Sequence, residues 1–231
     1  MSSKIGSVAA IMQKNASNKG TVIFLHGSGD TGKGVKEWVN FLLGNDWNFP
    51  HLKVLFPTAP VRKYTPLGGA PSHVWFDREN ISPDVPEHLD TIEPMGKEVV
   101  NLIEKEVMSG IPLEHIIIGG FSMGGAMAIH VGYRLKPQVA GVFALSSFLN
   151  YNSVVYKHLE NYKEQQEFPP LFMCHGDRDD LVPLTWGEET FKNLEKLGVK
   201  GQFHTIKNAL HELKKQELKA WSDWVRERVP E

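Results

Sequence analysis

Gly120-Phe121-Ser122-Met123-Gly124 is the segment of this sequence whose residue types point most directly to chemistry. An apolar run, residues 116–118, precedes it, and a helical pattern rich in small residues, 123–135, follows. A serine on a tight strand-to-helix turn is held in a strained backbone conformation, and a bulky side chain two positions before or after would collide with it. Glycines at 120 and 124 remove that collision, and Gly125 widens the space. A helix that starts here aims its first amides at any negative charge that develops beside it. The plainer reading is a structural serine in a glycine-rich turn, but the flanking strand and helix patterns favour a nucleophile.

A serine hydroxyl attacks poorly until a base takes its proton, and the base needs an acid to orient it. In α/β-hydrolases, where such a turn carries the nucleophile, the chain order is serine, acid, histidine. The acid belongs just after a strand beyond the turn, and His175-Gly176-Asp177-Arg178-Asp179-Asp180 follows the apolar run 171–174. Three aspartates compete there, two of them expected to be solvated turn residues, and spacing leaves the choice open. Only His204 and His211 come later. His204 sits within an alternating strand pattern, whereas His211 follows the turn-like Lys207-Asn208-Ala209, so placement favours His211 as base.

Acyl transfer through a serine also requires backbone N–H groups aimed at the tetrahedral oxyanion. One is expected from Met123, next to the nucleophile, and another from the loop His26-Gly27-Ser28-Gly29-Asp30 after the apolar run 21–25. That loop lacks the G-x-x-x-x-G-K-[ST] spacing of a phosphate-binding loop and the full dinucleotide fingerprint, so nucleotide binding is not expected. No pair of histidines has metal-ligand spacing with acidic partners, and no cofactor is expected.

The elements that must position these groups read as alternating strands and helices, the pattern of a mostly parallel central sheet flanked by helices. Strands are expected at 21–25, 52–56, 116–118, 139–145, 171–174 and 202–206. Helices are expected at 91–108, where Ile92, Met95, Val99, Ile103 and Val107 recur at helical spacing, and at 123–135, 184–197 and 212–228. Gly110 and Pro112 stop the first of them, and Leu213, Leu218, Trp221, Trp224 and Val225 form the apolar stripe of the last. Residues 57–90 break the alternation with six prolines, Gly68-Gly69 and Trp75-Phe76. This segment is expected to cross the sheet's C-terminal edge as an irregular excursion, with Trp75 and Phe76 at the substrate pocket.

With 231 residues, 41% hydrophobic and 23% charged, the chain is expected to form a single domain spanning 1–231, with a core that needs no staples. Cys174 is the only cysteine, which excludes an internal disulfide and suits a reducing compartment. A net charge of −2 with dispersed Lys and Arg argues against a nucleic-acid partner. No apolar run approaches the ~18 residues of a membrane span, and Ser2 offers no acylation signal, so a cytosolic protein without membrane insertion is expected.

Taken together the motifs resemble the acyl-protein thioesterase and lysophospholipase family. The resemblance runs almost the full length, through Phe24-Leu25-His26-Gly27-Ser28-Gly29-Asp30-Thr31-Gly32, Pro57-Thr58-Ala59-Pro60, Trp75-Phe76-Asp77-Arg78, Gly119 to Gly125, Ala144-Leu145-Ser146-Ser147-Phe148, and His175-Gly176 with Asp179 to Pro183. It implies an α/β-hydrolase fold, Ser122 as nucleophile, Asp179 as acid, His211 as base, and the N–H groups of Ser28 and Met123 as oxyanion hole. The implied substrates are short-to-medium acyl esters or thioesters, with S-palmitoylated proteins and lysophospholipids behind them. Two features depart from the family: Met123 stands where glutamine is usual, and the palmitoylated N-terminal cysteine is absent. The competing expectation is a non-catalytic ligand- or protein-binding member on a hydrolase scaffold; a peptidase is disfavoured because no added gating domain fits.

Overall fold

The computed structural model describes residues 4–15, 18–44, 49–162 and 167–231; the N-terminal segment read for acylation signals lies outside them. Seven strands form the central sheet: β1 (Val8–Ile11), β2 (Gly20–Leu25), β3 (Leu52–Pro57), β6 (Ile116–Phe121), β7 (Gly141–Leu145), β8 (Leu171–Gly176) and β9 (Gly201–Ile206). Their order is β1-β3-β2-β6-β7-β8-β9. Every pairing is parallel except that of the edge strand β1 with β3.

The inner strands β2, β3, β6, β7 and β8 are near-continuous apolar runs because both faces are covered, whereas the edge strands β1 and β9 are partly exposed. Val22 and Phe24 of β2 point to one face with Phe143, Phe172 and Cys174. Ile23 and Leu25 point to the other with Ile116, Ile118, Val142 and Met173. Two helices, α1 (Gly32–Leu43) and α6 (Lys215–Arg228), pack on the first face through Val35, Val39, Leu218, Trp221 and Val225. The second face is covered by α2 (Leu89–Met108), α3 (Met123–His130), α4 (Val154–Glu160) and α5 (Leu184–Lys196). Trp221 is fully buried, with its ring 5.6 Å from Phe24, 5.2 Å from Phe143 and 5.9 Å from Phe49. Truncating it to alanine would cost about 3–5 kcal/mol, the usual figure for a buried aromatic.

The expected strands and helices recur with shifted ends, and the departures have physical reasons. The strand 116–118 continues to Phe121 because Gly119 and Gly120 remain in the ladder beside Phe143 and Ala144. The helix from 123 widens after His130 into a π turn over Val131–Leu135. Residues 57–90 are less irregular than expected: β4 (Val61–Tyr64) and β5 (Ala70–His73) form an antiparallel hairpin outside the main sheet. Besides that hairpin, α1, α4 and the short edge strand β1 were missed from the pattern.

Candidate active site

Ser122 leaves β6 and enters α3 with φ 53° and ψ −121°, a left-handed conformation that a non-glycine residue adopts at a cost of about 1–3 kcal/mol. The surrounding backbone enforces it. A Cβ on Gly120 would lie 2.3 Å from the Leu25 carbonyl oxygen, and one on Gly124 would lie 2.3 Å from the same atom and 2.6 Å from the His26 oxygen. The Ser122 N–H donates to the Leu145 carbonyl at 2.8 Å, which ties the turn to β7. Met123 is the first residue of α3, where amides have no acceptor within the helix.

His211 bridges the serine and an aspartate. Its Nδ1 lies 2.8 Å from Asp179 Oδ2, and its Nε2 lies 3.0 Å from Ser122 Oγ. Burial alone would raise the Asp179 pKa. Hydrogen bonds from His175, His211 and the Val182 amide outweigh it and hold the carboxyl well below its ordinary range. An ionised Asp179 can only accept, so Nδ1 carries the imidazole proton and Nε2 is left to accept from the serine hydroxyl. The ring of Phe121 packs against that of His211, with centroids 4.9 Å apart and planes tilted by 41°.

The loops after β8 and β9 are sewn together to make this contact. Arg178 N–H donates to the Ala209 carbonyl at 3.0 Å and Asp177 N–H to that of Ile206 at 3.1 Å. Gly176 permits the approach, since a Cβ there would sit 2.3 Å from the Ala209 oxygen. Among the three aspartates, Asp177 accepts from the Asn208 amide at 2.7 Å, Asp180 is exposed, and Asp179 turns inward. His204 stays within β9, 3.1 Å from the Gln202 side chain and with its ring tilted against Phe172, apart from the serine.

Two further histidines support the site, and sequence reasoning gave them no role. His26 Nε2 accepts the Ala59 N–H at 2.9 Å, so its Nδ1 carries the proton and donates to the Gly27 carbonyl at 2.6 Å. Burial lowers its pKa to about 4, which keeps it neutral in that arrangement. Trp75 Nε1–H donates to the His26 carbonyl at 2.8 Å, and Gly29 N–H to the His73 carbonyl at 2.9 Å, so the 26–30 loop is held from several sides. His175 Nε2–H donates to the Val182 carbonyl at 2.7 Å and lies 3.5 Å from Asp179 Oδ2.

A cavity of about 220 Å³ opens at the serine, lined by Ser28, Trp38, Phe121, Ser122, Leu181 and His211 among others. Trp75 and Phe76, expected at the pocket, are absent from this lining. Trp75 is instead fully buried beneath the 26–30 loop, and the Phe76 ring lies under the Arg78 guanidinium. Trp38 was missed because α1 was missed, although Thr31 caps that helix and Val35, Val39 and Leu43 carry its spacing. Among the described residues, no cluster of three or more His, Cys, Asp or Glu side chains is placed to hold a metal ion. None of their helices is long and apolar enough to cross a membrane.

The profile of the Phospholipase/Carboxylesterase family matches residues 7–228. The chain belongs to that family. Phospholipase/Carboxylesterase relatives include mouse lysophospholipase-like protein 1, 48% identical over 220 residues covering 95% of this chain and 91% of the relative. Acyl-protein thioesterase 1 of Neurospora crassa is 35% identical over 225 residues, covering 93% and 89%. Among solved structures, acyl-protein thioesterase 2 of Zea mays superposes with a TM-score of 0.83 at 25% identity, covering 97% of this chain and 99% of that one. Arabidopsis thaliana SOBER1 superposes with a TM-score of 0.79 at 26% identity, covering 91% and 99%. The protein is thus a hydrolase of the α/β-hydrolase fold in the esterase and thioesterase group, the family anticipated from its motifs.

Proposed function

We propose that the protein hydrolyses short-to-medium acyl esters and thioesters through a Ser122, His211, Asp179 triad, with the Ser28 and Met123 amides as oxyanion hole. The observation that supports this most directly is the imidazole of His211, within hydrogen-bond reach of both Ser122 Oγ and Asp179 Oδ2. His211 Nε2 takes the serine proton as Oγ attacks the acyl carbonyl. Asp179 stabilises the imidazolium so formed, and the two amides meet the charge on the carbonyl oxygen. The imidazolium then protonates the leaving alcohol or thiol, giving an acyl-enzyme. A water molecule deprotonated by the same nitrogen releases the acid.

The relatives named acyl-protein thioesterases act on acyl groups by their names, and this supports the acyl class of substrate. The size of the cavity favours small members of that class. About 220 Å³ lies below the roughly 300–1,000 Å³ of pockets that enclose a drug-sized ligand. S-palmitoylated proteins are therefore a secondary substrate class in this reading, and the site of action is the cytosol.

An acyl-length series of p-nitrophenyl esters and matched thioesters, from acetyl to palmitoyl, tests both parts. Ser122→Ala should lose activity toward all of them by at least about a thousandfold, together with labelling by a fluorophosphonate. Retained activity in that variant would refute the triad. A kcat/KM that rises toward palmitoyl would overturn the preference for short chains.

A further inference from the structure

Arg78, connected to the cavity through Tyr64 and Ser28, is a cation with no ion-paired carboxylate among the described residues. Its guanidinium carbon lies 5.0 Å from the centroid of Phe76 and 5.6 Å from that of Phe148. Its Nε is buried without a hydrogen-bond acceptor, and no carboxylate among the described residues forms an ion pair with it. Asp77 is close enough to act on it electrostatically, but the Asp77 oxygens accept from the Thr65 amide and hydroxyl.

Position connects Arg78 to the reacting atoms. Phe148 lies just past β7, whose last residue Leu145 accepts the Ser122 N–H. Tyr64 neighbours Arg78, and its hydroxyl, buried and without a well-formed hydrogen bond, lies beside the Ser28 side chain. Ser28 lines the cavity at Ser122, so the guanidinium lies one side chain, Tyr64, beyond that lining. Two phenyl faces orient a cation there and hold it away from water, yet they neutralise none of its charge. Leaving a half-buried charge unpaired is unfavourable unless something binds it. A planar fork of N–H donors fits a carboxylate or a phosphate in two-point contact.

We propose that Arg78 binds an anionic group, carboxylate or phosphate, carried by the acyl ester or thioester substrate. This rests on the acyl hydrolysis proposed above and adds a preference to it. The anion can belong to the acyl portion, as in a dicarboxylic half-ester, or to the alcohol or thiol portion, as in a phosphorylated headgroup.

The test compares kcat/KM for p-nitrophenyl hemisuccinate with neutral p-nitrophenyl butyrate, and for a butyryl thioester of mercaptopropionate with that of its methyl ester. Parent, Arg78→Met, Arg78→Lys and Ser122→Ala proteins are measured on each pair. The anionic-to-neutral ratio should fall tenfold or more in Arg78→Met for at least one pair, and Arg78→Lys should restore part of it. A fall in the first pair alone assigns the anion to the acyl side, and in the second alone to the leaving side. Because each value is a ratio, a loss of folded protein cancels. Ratios unchanged by Arg78→Met in both pairs would overturn the proposal while leaving acyl hydrolysis intact. Hydrolysis persisting in Ser122→Ala would instead refute the underlying reading.

Discussion

Replacing Gly124 by alanine tests whether the backbone around Ser122 is as tightly enclosed as its geometry implies. The added Cβ would stand 2.3 Å from the Leu25 oxygen, where ordinary contact begins at 3.4 Å, a deficit of 1.1 Å. It would also stand 2.6 Å from the His26 oxygen. Both are main-chain atoms at the end of β2, so no side chain can rotate away. The first turn of α3 and the 26–30 loop must separate by about an ångström. Those two segments carry Ser122, Met123 and Ser28, and a displacement of ~1 Å in a reacting constellation costs on the order of a hundredfold in rate. Overpacking of this kind also removes about 1–3 kcal/mol of stability. Gly68→Ala is the control: its φ is +63°, and no atom lies within 4 Å of the new Cβ, so it should lose some stability and no activity. The assay is kcat/KM for p-nitrophenyl butyrate with a melting curve for each variant. A Gly124→Ala protein within about threefold of parent kcat/KM would mean that the turn tolerates the shift, and the positioning argument would fail.

Asp179→Asn should lower kcat by about 10³–10⁴ with little change in KM, because an amide no longer fixes the His211 tautomer. The depressed pKa of Asp179 also contributes stability that is present above its ordinary value of 3.8 and lost as pH falls through the lower folded value. The asparagine variant should lack that acid-limb loss in melting temperature. Glu217 has the opposite sign: burial raises its pKa from 4.5 to about 8. The folded state then holds a proton that the unfolded chain releases, so stability falls as pH rises from about 4.5 through about 8. Glu217→Gln should flatten this slope and melt several degrees higher than the parent at pH 9; a variant that melts with the parent's pH profile would contradict it.

What was legible in the sequence, and what was not, follows from range. Strand β2 and helix α6 announce themselves locally, the first by an unbroken apolar run and the second by Leu218, Trp221 and Val225 at helical spacing. Ser122 was legible because its strained turn needs glycines at fixed offsets. The choice among Asp177, Asp179 and Asp180 was not, since it depends on which carboxylate the hydrogen bonds between residues 176–178 and 206–209 turn inward. β1 is short and gains its register only from β3, across about forty residues of chain. The hairpin β4-β5 was hidden by prolines at 66 and 71, which are tolerated because this ribbon stands apart from the main sheet.

The histidines near the site make the same point chemically. His26, His175 and His211 share one side chain and differ in what surrounds them. His26 is buried against a backbone N–H that needs an acceptor, so its neutral form is favoured and it serves as a strut for the 26–30 loop. His175 has a carbonyl at Nε2 and no partner at Nδ1, which fixes its proton on Nε2 and directs it toward Val182 and Asp179. His211 alone combines a carboxylate at one nitrogen with a hydroxyl at the other and partial exposure to the cavity. That placement is the one the proposed role of base requires. Protonating His26 would remove the acceptor that holds Ala59, so the loop proposed to bind the oxyanion is steady because its histidine cannot titrate near neutral pH.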